Sequence, residues 1–300
     1  MKTLLPILAV ALAIGSPLAA KPLAAKPLPA KTADFAVGPQ YDTTHVYVAP
    51  EDFDRFVTSF VATFGGTTTK QGVFTVTPTP SKTMSQLVLT PVGTISVFGF
   101  KTPVPYPFGA ERTGYLVTDL DAATAAARAA GATRLLAVFP DPIGRDVVVQ
   151  WPGGVNMQIY WHTTAPNYPA LKTVPENRVY LTPDAASAFL QAWTRYAHGR
   201  ILSDNPKADA AEIGRPGQTF RRVVVGSGYG KLALLVSDGL LPWPYGRDMT
   251  GYEVADLAAT LDKAKAAGAE VLAGPTSANG RQTAVLRFPG GYIAEVHALR

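Results

Sequence analysis

The chain has 300 residues, a net charge of +5 and no cysteine, which excludes disulfides, thiolate catalysis and cysteine-linked lipid anchors. Its basic excess comes from four lysines that precede Asp34, namely Lys2, Lys21, Lys26 and Lys31. From Asp34 onward, 23 basic residues face 22 acidic ones, so the body of the protein lacks the basic surface that binds phosphate backbones. We therefore expect no nucleic-acid partner.

The first twenty residues predict a secretory signal peptide. They contain one lysine, an apolar stretch and small residues after it, and they are too short and wrongly flanked to anchor the chain in a membrane. Residues 21–40 begin with "KPLAAKPLPAK" and predict a tether rich in Pro, Lys and Ala. We expect an exported protein, periplasmic in a bacterium or secreted, with no membrane span once the signal peptide is removed.

Residues 41–162 contain the order strand, helix and three strands twice. The first copy runs from "THVYVAP" through a helix with aromatic residues at helical spacing to "GVFTVTP", "SQLVLTP" and "TISVFGF". The second copy runs from "RTGYLVTDL" through an alanine-rich helix that ends at Gly131 to "RLLAVFP", "DVVVQWP" and "VNMQIYWH". These two units predict one module of mixed helix and strand.

The second half of the chain repeats the first. "GYLVTDLDAATAAARAAGA" at 114–132 matches "GYEVADLAATLDKAKAAGA" at 251–269 with eleven of nineteen positions identical, and "QWPGGVNMQIYWH" at 150–162 matches 287–299 at the same offset. Residues 163–176, "TTAPNYPALKTVPE", read as a linker. We therefore predict a second module over residues 177–300.

Paired βαβββ units with "GYxVxDLxAA" and a closing "PGGxxxE" strand resemble the vicinal oxygen chelate superfamily. It includes glyoxalase I, extradiol dioxygenases and bleomycin-resistance proteins, and the resemblance covers both modules. It implies an α+β fold in which each module pairs two βαβββ units into a curved, mostly antiparallel sheet around a cavity.

The resemblance also implies three metal-ligand positions in each module. They fall on His45, Arg112 and Gln158 in the first module, and on Arg178, Met249 and Glu295 in the second. Arginine only donates hydrogen bonds, and glutamine and methionine are poor ligands for Zn²⁺ or Fe²⁺. We therefore expect no metal cofactor. If a divalent metal is bound, His45 and Glu295 are its candidates, helped by His162 or His297 or by pairing of units between modules.

Strand alternation predicts which side chains face each cavity. In the first module these are His45, Tyr47, Gln158, Tyr160 and His162, joined by Arg112, with no inward carboxylate. Such a lining suits an anionic or carbonyl-bearing small molecule.

In the second module the same alternation predicts Arg178, Tyr180, Glu253, Glu295 and His297. These residues are either a second ligand site or a closed ion-pair network that satisfies only itself.

Two loops rich in Pro and aromatic residues precede the second unit of each module, "KTPVPYPFGAERTGY" and "DGLLPWPYGRDMTGY". Two interpretations stay open for Tyr106, Phe108, Trp243 and Tyr245. Their rings pack into the core as part of a stiff connection, or they form a lid that contacts a ligand.

Three hypotheses for function follow. The first, which we favour, is a protein that binds a small organic molecule without a metal. The second is a metal-dependent enzyme with an atypical site, either a lyase or isomerase of the glyoxalase kind or a dioxygenase. The third is an interaction module whose cavities are filled by its own side chains.

Overall fold

The computed structural model describes residues 35–300. The expected signal peptide and most of the expected tether lie outside the described residues. Within the described part, none of the helices is both long and apolar enough to cross a membrane.

The first module begins with a unit made of β1 (Asp42–Tyr47), α1 (Phe53–Phe64), β2 (Thr67–Thr68), β3 (Gly72–Phe74), β4 (Thr83–Thr90) and β5 (Gly93–Phe100). Its second unit comprises β6 (Thr113–Leu116), α2 (Leu120–Ala130), β7 (Thr133–Arg134), β8 (Phe139–Asp141), β9 (Gly144–Trp151) and β10 (Val155–His162).

The second module repeats this order. Its first unit comprises β11 (Glu176–Leu181), α3 (Pro183–Tyr196), β12 (Arg200–Asp209), β13 (Thr219–Ser227) and β14 (Gly230–Val236). Its second unit comprises β15 (Met249–Glu253), α4 (Leu257–Ala266), β16 (Glu270–Ala278), β17 (Arg281–Arg287) and β18 (Ile293–Leu299).

Each module forms its own sheet. The first has ten strands, in the order β2-β4-β5-β1-β6-β10-β9-β7 with β3 beside β4 and β8 beside β9, and the second has eight, in the order β12-β13-β14-β11-β15-β18-β17-β16. The two units of a module meet where β1 pairs antiparallel with β6 and where β11 pairs antiparallel with β15. The predicted fold class is therefore confirmed, and units pair within modules rather than between them.

The Asp-Leu pair of the repeat starts the second helix of each module. Asp119 and Asp256 accept hydrogen bonds from the N–H groups of Ala122 and Ala259, both at 3.0 Å, and so satisfy a donor that the helix leaves unpaired. Gly131 ends α2 with a φ of 113°, a conformation that favours glycine.

Some strands are shorter than the sequence predicts. Between β7 and β8, the N–H groups of Leu135 and Leu136 both point at the carbonyl of Val148, at 2.9 and 3.2 Å. Two residues therefore oppose one, as in a β-bulge, and the predicted strand "RLLAVFP" is interrupted.

The four helices lie between the two sheets, and each helix packs on a helix of the other module. Aromatic residues of α1, among them Phe56 and Phe60, contact Tyr252 and Phe288 of the second module, with Phe60 5.2 Å from Phe288 between ring centroids. The two modules therefore share one hydrophobic core at this pair of helices. Burying one such ring contributes about 1.5–3 kcal/mol to the free energy of folding.

The second shared core joins α2 and α3. Trp151 at the end of β9 packs edge-on against Trp193 of α3 at 5.5 Å and lies 5.1 Å from Tyr196. With one face of each sheet covered by these helices, the opposite face is free to form a cavity.

Candidate functional site

The open face of the first sheet encloses a cavity of about 300 Å³. All five strand residues that alternation assigned to it line its wall, namely His45, Tyr47, Gln158, Tyr160 and His162. Their neighbours in the strands face the other way, since Val46 and Ile159 belong to the helix-side cores. The period of two along β1 and β10 therefore places these side chains together.

Much of the remaining wall is apolar. Its rings and aliphatic side chains are Phe74, Val76, Leu87, Phe98, Phe108 and Ile143. Phe108 comes from the first Pro-rich loop and is buried against Phe139 at 5.9 Å. Tyr168, in the segment that joins the two sheets, also lines the cavity and packs on Tyr41 at 4.9 Å. The predicted linker therefore helps to build the cavity wall.

The sequence missed a carboxylate directly behind the wall of this cavity. Glu111 is fully buried, and its Oε1 lies 3.2 Å from His45 Nδ1 and accepts a hydrogen bond from the Tyr47 hydroxyl. The expectation of no inward carboxylate is wrong, because Asp141 and Asp146 line the cavity itself. For Glu111 the sequence did contain a signal, because the repeat offset of 137 places another acid, Asp248, at the equivalent position of the second module.

The lack of a side chain at Gly114 leaves room for the His45 ring. A Cβ at Gly114 would lie 2.5 Å from His45 Nε2, so the imidazole occupies the space that a side chain on β6 would fill. Phe98 packs edge-on against the same ring at 5.3 Å between centroids. The ring is thus held by Glu111 at one nitrogen, by Phe98 beside it and by the glycine beneath it.

Asp146 on β9 is a second missed carboxyl group. It is 3% exposed, lines the cavity and pairs with Gln158. Burial raises the pKa of the Asp146 carboxyl well above its usual range, with a smaller contribution from the charge of Asp141. Burial also lowers the pKa of His162. Burial on this side of the cavity therefore favours the uncharged forms of both the Asp146 carboxyl and the His162 imidazole.

Replacing Asp146 with asparagine should raise the melting temperature at pH 7.5 by about 3 °C or more and leave it nearly unchanged below pH 4. The native state holds the Asp146 proton more tightly than the unfolded chain does, so stability is lost as the pH rises from the unfolded pKa toward the raised native one. Thermal unfolding followed by circular dichroism between pH 3.5 and 8 checks this. Asp121→Asn, at an exposed carboxylate, is the control, and an equal gain at every pH would contradict the assignment.

Arg112 does not line this cavity, contrary to expectation. It lies in the loop directly before β6, and its side chain lines a smaller pocket between the modules, together with Arg247 and Asp248. His45 and Tyr47 contact both spaces and separate them. The first cavity therefore lacks the arginine that was expected to favour an anionic ligand.

In the second module a buried ion-pair network covers the corresponding face of the sheet. Arg178 Nη1 lies 3.0 Å from Glu212 Oε1 and 3.4 Å from Glu295 Oε1. Glu176 binds Arg281 through two hydrogen bonds of 3.0 Å and Arg222 through one of 2.9 Å. Three arginines thus face three glutamates, and the network is electrically balanced.

Burial alone would raise the pKa of Glu176, but Arg222 and Arg281 hold it well below its usual range. His297 Nδ1 contacts Glu295 Oε2 at 2.8 Å and joins the network, as the closed-network interpretation requires. Glu253 does not, contrary to expectation. It pairs with Lys231 at 3.0 Å at the partly exposed end of β15.

The metal positions implied by the resemblance do not fit a metal ion in either module. In the second module, the Arg178 guanidinium lies against Glu295, where a cation would have to replace it. In the first, Arg112 belongs to another pocket and Glu111 occupies one nitrogen of His45. Within residues 35–300, no three His, Cys, Asp or Glu side chains lie together in an arrangement that could hold a metal. His45 and Glu295 lie on different sheets.

The aromatic residues of the two Pro-rich loops divide between the two interpretations. Phe108 is buried at the first cavity, and Tyr245 is half-buried against the second sheet. Tyr106 and Trp243 are 70% and 62% exposed, so neither packs into the core.

Comparisons with known proteins identify the fold. No family model and no curated protein matches the chain. Among solved structures, a mutant of 4-hydroxymandelate synthase from Streptomyces coelicolor matches with a TM-score of 0.54 and 14% identity, over 90% of this chain and 93% of that one. The Mn(II)-bound glyoxalase from Novosphingobium aromaticivorans matches with a TM-score of 0.52 and 13% identity, over 88% and 83%.

The 2,3-dioxygenase LapB from Pseudomonas sp. KL28 matches with a TM-score of 0.51 and 12% identity, over 89% of this chain and 93% of that one. All three matches extend over both modules. At these identities the likeness concerns the fold. The chain has the vicinal oxygen chelate fold in two modules, as the sequence resemblance implied.

Proposed function

We propose that this is an exported protein that binds a small, uncharged organic molecule with a carbonyl group in the cavity of the first module, without a metal ion. The buried Asp146 carboxyl on the cavity wall carries this proposal, because its burial favours the protonated form, which would supply a hydrogen-bond donor on a wall that faces aromatic rings. Export rests on the first twenty residues, and N-terminal sequencing of the purified protein would locate the cleavage.

The charges around the cavity favour a neutral ligand over an anion. Glu111 and Asp141 bring carboxylates to the wall or just behind it, and Lys70 at the rim is exposed. With Arg112 in another pocket, a bound carboxylate would lack the guanidinium partner that offsets its desolvation. A carbonyl oxygen needs only a donor, which Asp146 and the amide of Gln158 provide.

Three phenols with the same ring test the proposal: 4-hydroxyacetophenone, 4-hydroxybenzoate and 4-ethylphenol. We expect the ketone to bind at least tenfold more tightly than the acid or the alkyl compound, because it alone carries an uncharged carbonyl oxygen as the acceptor. Isothermal titration calorimetry on the mature protein measures this. Asp146→Asn keeps a donor and should keep most of the affinity, whereas Asp146→Ala should lose it.

Equal affinity for the ketone and the alkyl compound, or an intact affinity in Asp146→Ala, would contradict the proposal. The alternative is a metal-dependent lyase, isomerase or dioxygenase, which the names of the similar structures favour. One tightly held Fe, Mn, Ni or Zn per chain, lost in His45→Ala, would support that enzyme instead. Metal content is therefore measured on the same preparation, purified without a metal-affinity tag.

A further inference from the structure

The pocket between the modules is built by the two corresponding Pro-rich loops. Its volume is about 180 Å³, and Gly109 and Arg112 reach it from the first loop, Arg247 and Asp248 from the second. Thr250 and Tyr292 of the second module also line this pocket. The pocket is separate from the proposed ligand cavity, with which it shares the side chains of His45 and Tyr47.

Two guanidinium groups enter this pocket, and the one acidic side chain of residues 35–300 that lines it is Asp248, on whose carboxyl the charge of Arg112 acts. Among the described residues, neither Arg112 nor Arg247 makes an ion pair or a side-chain hydrogen bond. Burial lowers the pKa of Arg247, and the charge of Arg112 lowers it further. The buried arginines of the second module, in contrast, all face glutamates. Two like charges that share one pocket repel each other, and an anion bound between them would offset that repulsion.

We propose that this pocket binds a small oxyanion, a carboxylate or a phosphate-type group, between Arg112 and Arg247. Each guanidinium can donate two parallel hydrogen bonds to such a group. The pocket suits an ion or a short acid better than an aromatic ligand, because it is smaller than the first cavity. Arg247 is exposed, so solvent anions reach it directly.

Asp248 sets the pH dependence of this site. The charged or titratable groups at the pocket are His45, Tyr47, Arg112, Arg247, Asp248 and Tyr292, with Glu111 behind Tyr47. Asp248 is the carboxylate on the wall, and burial raises its pKa to about 6. Its Oδ1 accepts the N–H of Tyr180 at 3.2 Å. Below pH 6 the Asp248 charge that opposes an anion is lost, so anion affinity should rise.

Sulfate is the probe, because its charge is constant across the relevant pH range. We expect saturable binding of one sulfate per chain by calorimetry in a low-chloride buffer. Arg112→Gln and Arg247→Gln should each weaken it at least tenfold, since each removes a charge-assisted pair. Arg195→Gln, at an exposed arginine on α3, is the matched control and should leave it unchanged. Inorganic phosphate and benzoate, titrated in parallel, show which oxyanion class binds more tightly.

The pH series uses the wild type and Asp248→Asn between pH 5 and 8. Sulfate affinity should rise as the pH falls through 6 in the wild type and vary less in the variant, in which asparagine can still accept the Tyr180 N–H. No sulfate binding at pH 5.5, or binding that both arginine variants retain, would overturn the proposal. Ketone binding in the first cavity is measured on the same variants, so a failure of the proposed function can be distinguished from a failure of this anion site.

Discussion

Replacing Arg178 with methionine should lower the free energy of unfolding by about 3–5 kcal/mol. Methionine fills a similar volume but leaves Glu212 and Glu295 buried without the cation that now lies 3.0 and 3.4 Å from them. A loss of that size lowers the melting temperature by roughly 6–20 °C in a chain of this length. Urea unfolding at pH 7 measures the free energy, and thermal unfolding measures the temperature.

Two further variants give this prediction its controls. Lys231→Met breaks the partly exposed pair with Glu253 and should cost about 1 kcal/mol or less. Adding Glu295→Gln to Arg178→Met restores the balance of charge and should recover part of the loss. If Arg178→Met lowers the free energy of unfolding no more than Lys231→Met does, water must screen the network. That result would contradict its burial.

Gly114→Ala should abolish most ligand binding in the first cavity. The new Cβ would lie 2.5 Å from His45 Nε2 and 3.2 Å from a ring carbon of Tyr160, so the imidazole has to shift and its contact with Glu111 is disturbed. We expect at least a tenfold weaker affinity for the ketone and a stability loss of about 1–3 kcal/mol, because a buried carboxylate then loses its partner. Calorimetry and urea unfolding on the same protein check both.

Gly251→Ala is the matched variant, since Gly251 occupies the position of Gly114 in the second module. There a Cβ would lie 2.6 Å from Glu295 Oε2 and 3.0 Å from Arg178 Cδ. Stability should fall because the ion-pair network is disturbed, but ketone affinity in the folded protein should stay within about twofold. Equal effects of the two variants on binding would show that the second module also takes part in ligand recognition.

The repeat and the strand period predicted much of this fold and part of the site. Alternation predicted that residues 45 and 47 share one face and that residues 158, 160 and 162 share another, and the family resemblance implied that these faces line the cavity. The sequence order of the units likewise predicted two sheets with helices on one face of each.

The residues that sequence reasoning missed depend on geometry that has no short period. Glu111 and Arg112 are neighbours in a loop, and the loop directs Glu111 behind the cavity wall, against His45, and Arg112 into the pocket between the modules. Glu176, Glu212, Arg222 and Arg281 come from three different strands and a short turn, so their pairing is visible only when those elements are assembled. Asp146 opens the predicted strand "DVVVQWP", and the three valines that follow it show no alternation from which its face could be assigned.

The helix layer between the sheets has a consequence for how the chain reaches this state. Helix α1 packs its apolar face on α4, which begins roughly 200 positions later, so the contact between them closes a very long loop of the chain. During synthesis the first module emerges with that aromatic face bare until the last quarter of the chain has been made. We therefore expect each module on its own to aggregate. Separating the two modules, by proteolysis or by recombination, would expose both shared cores to water.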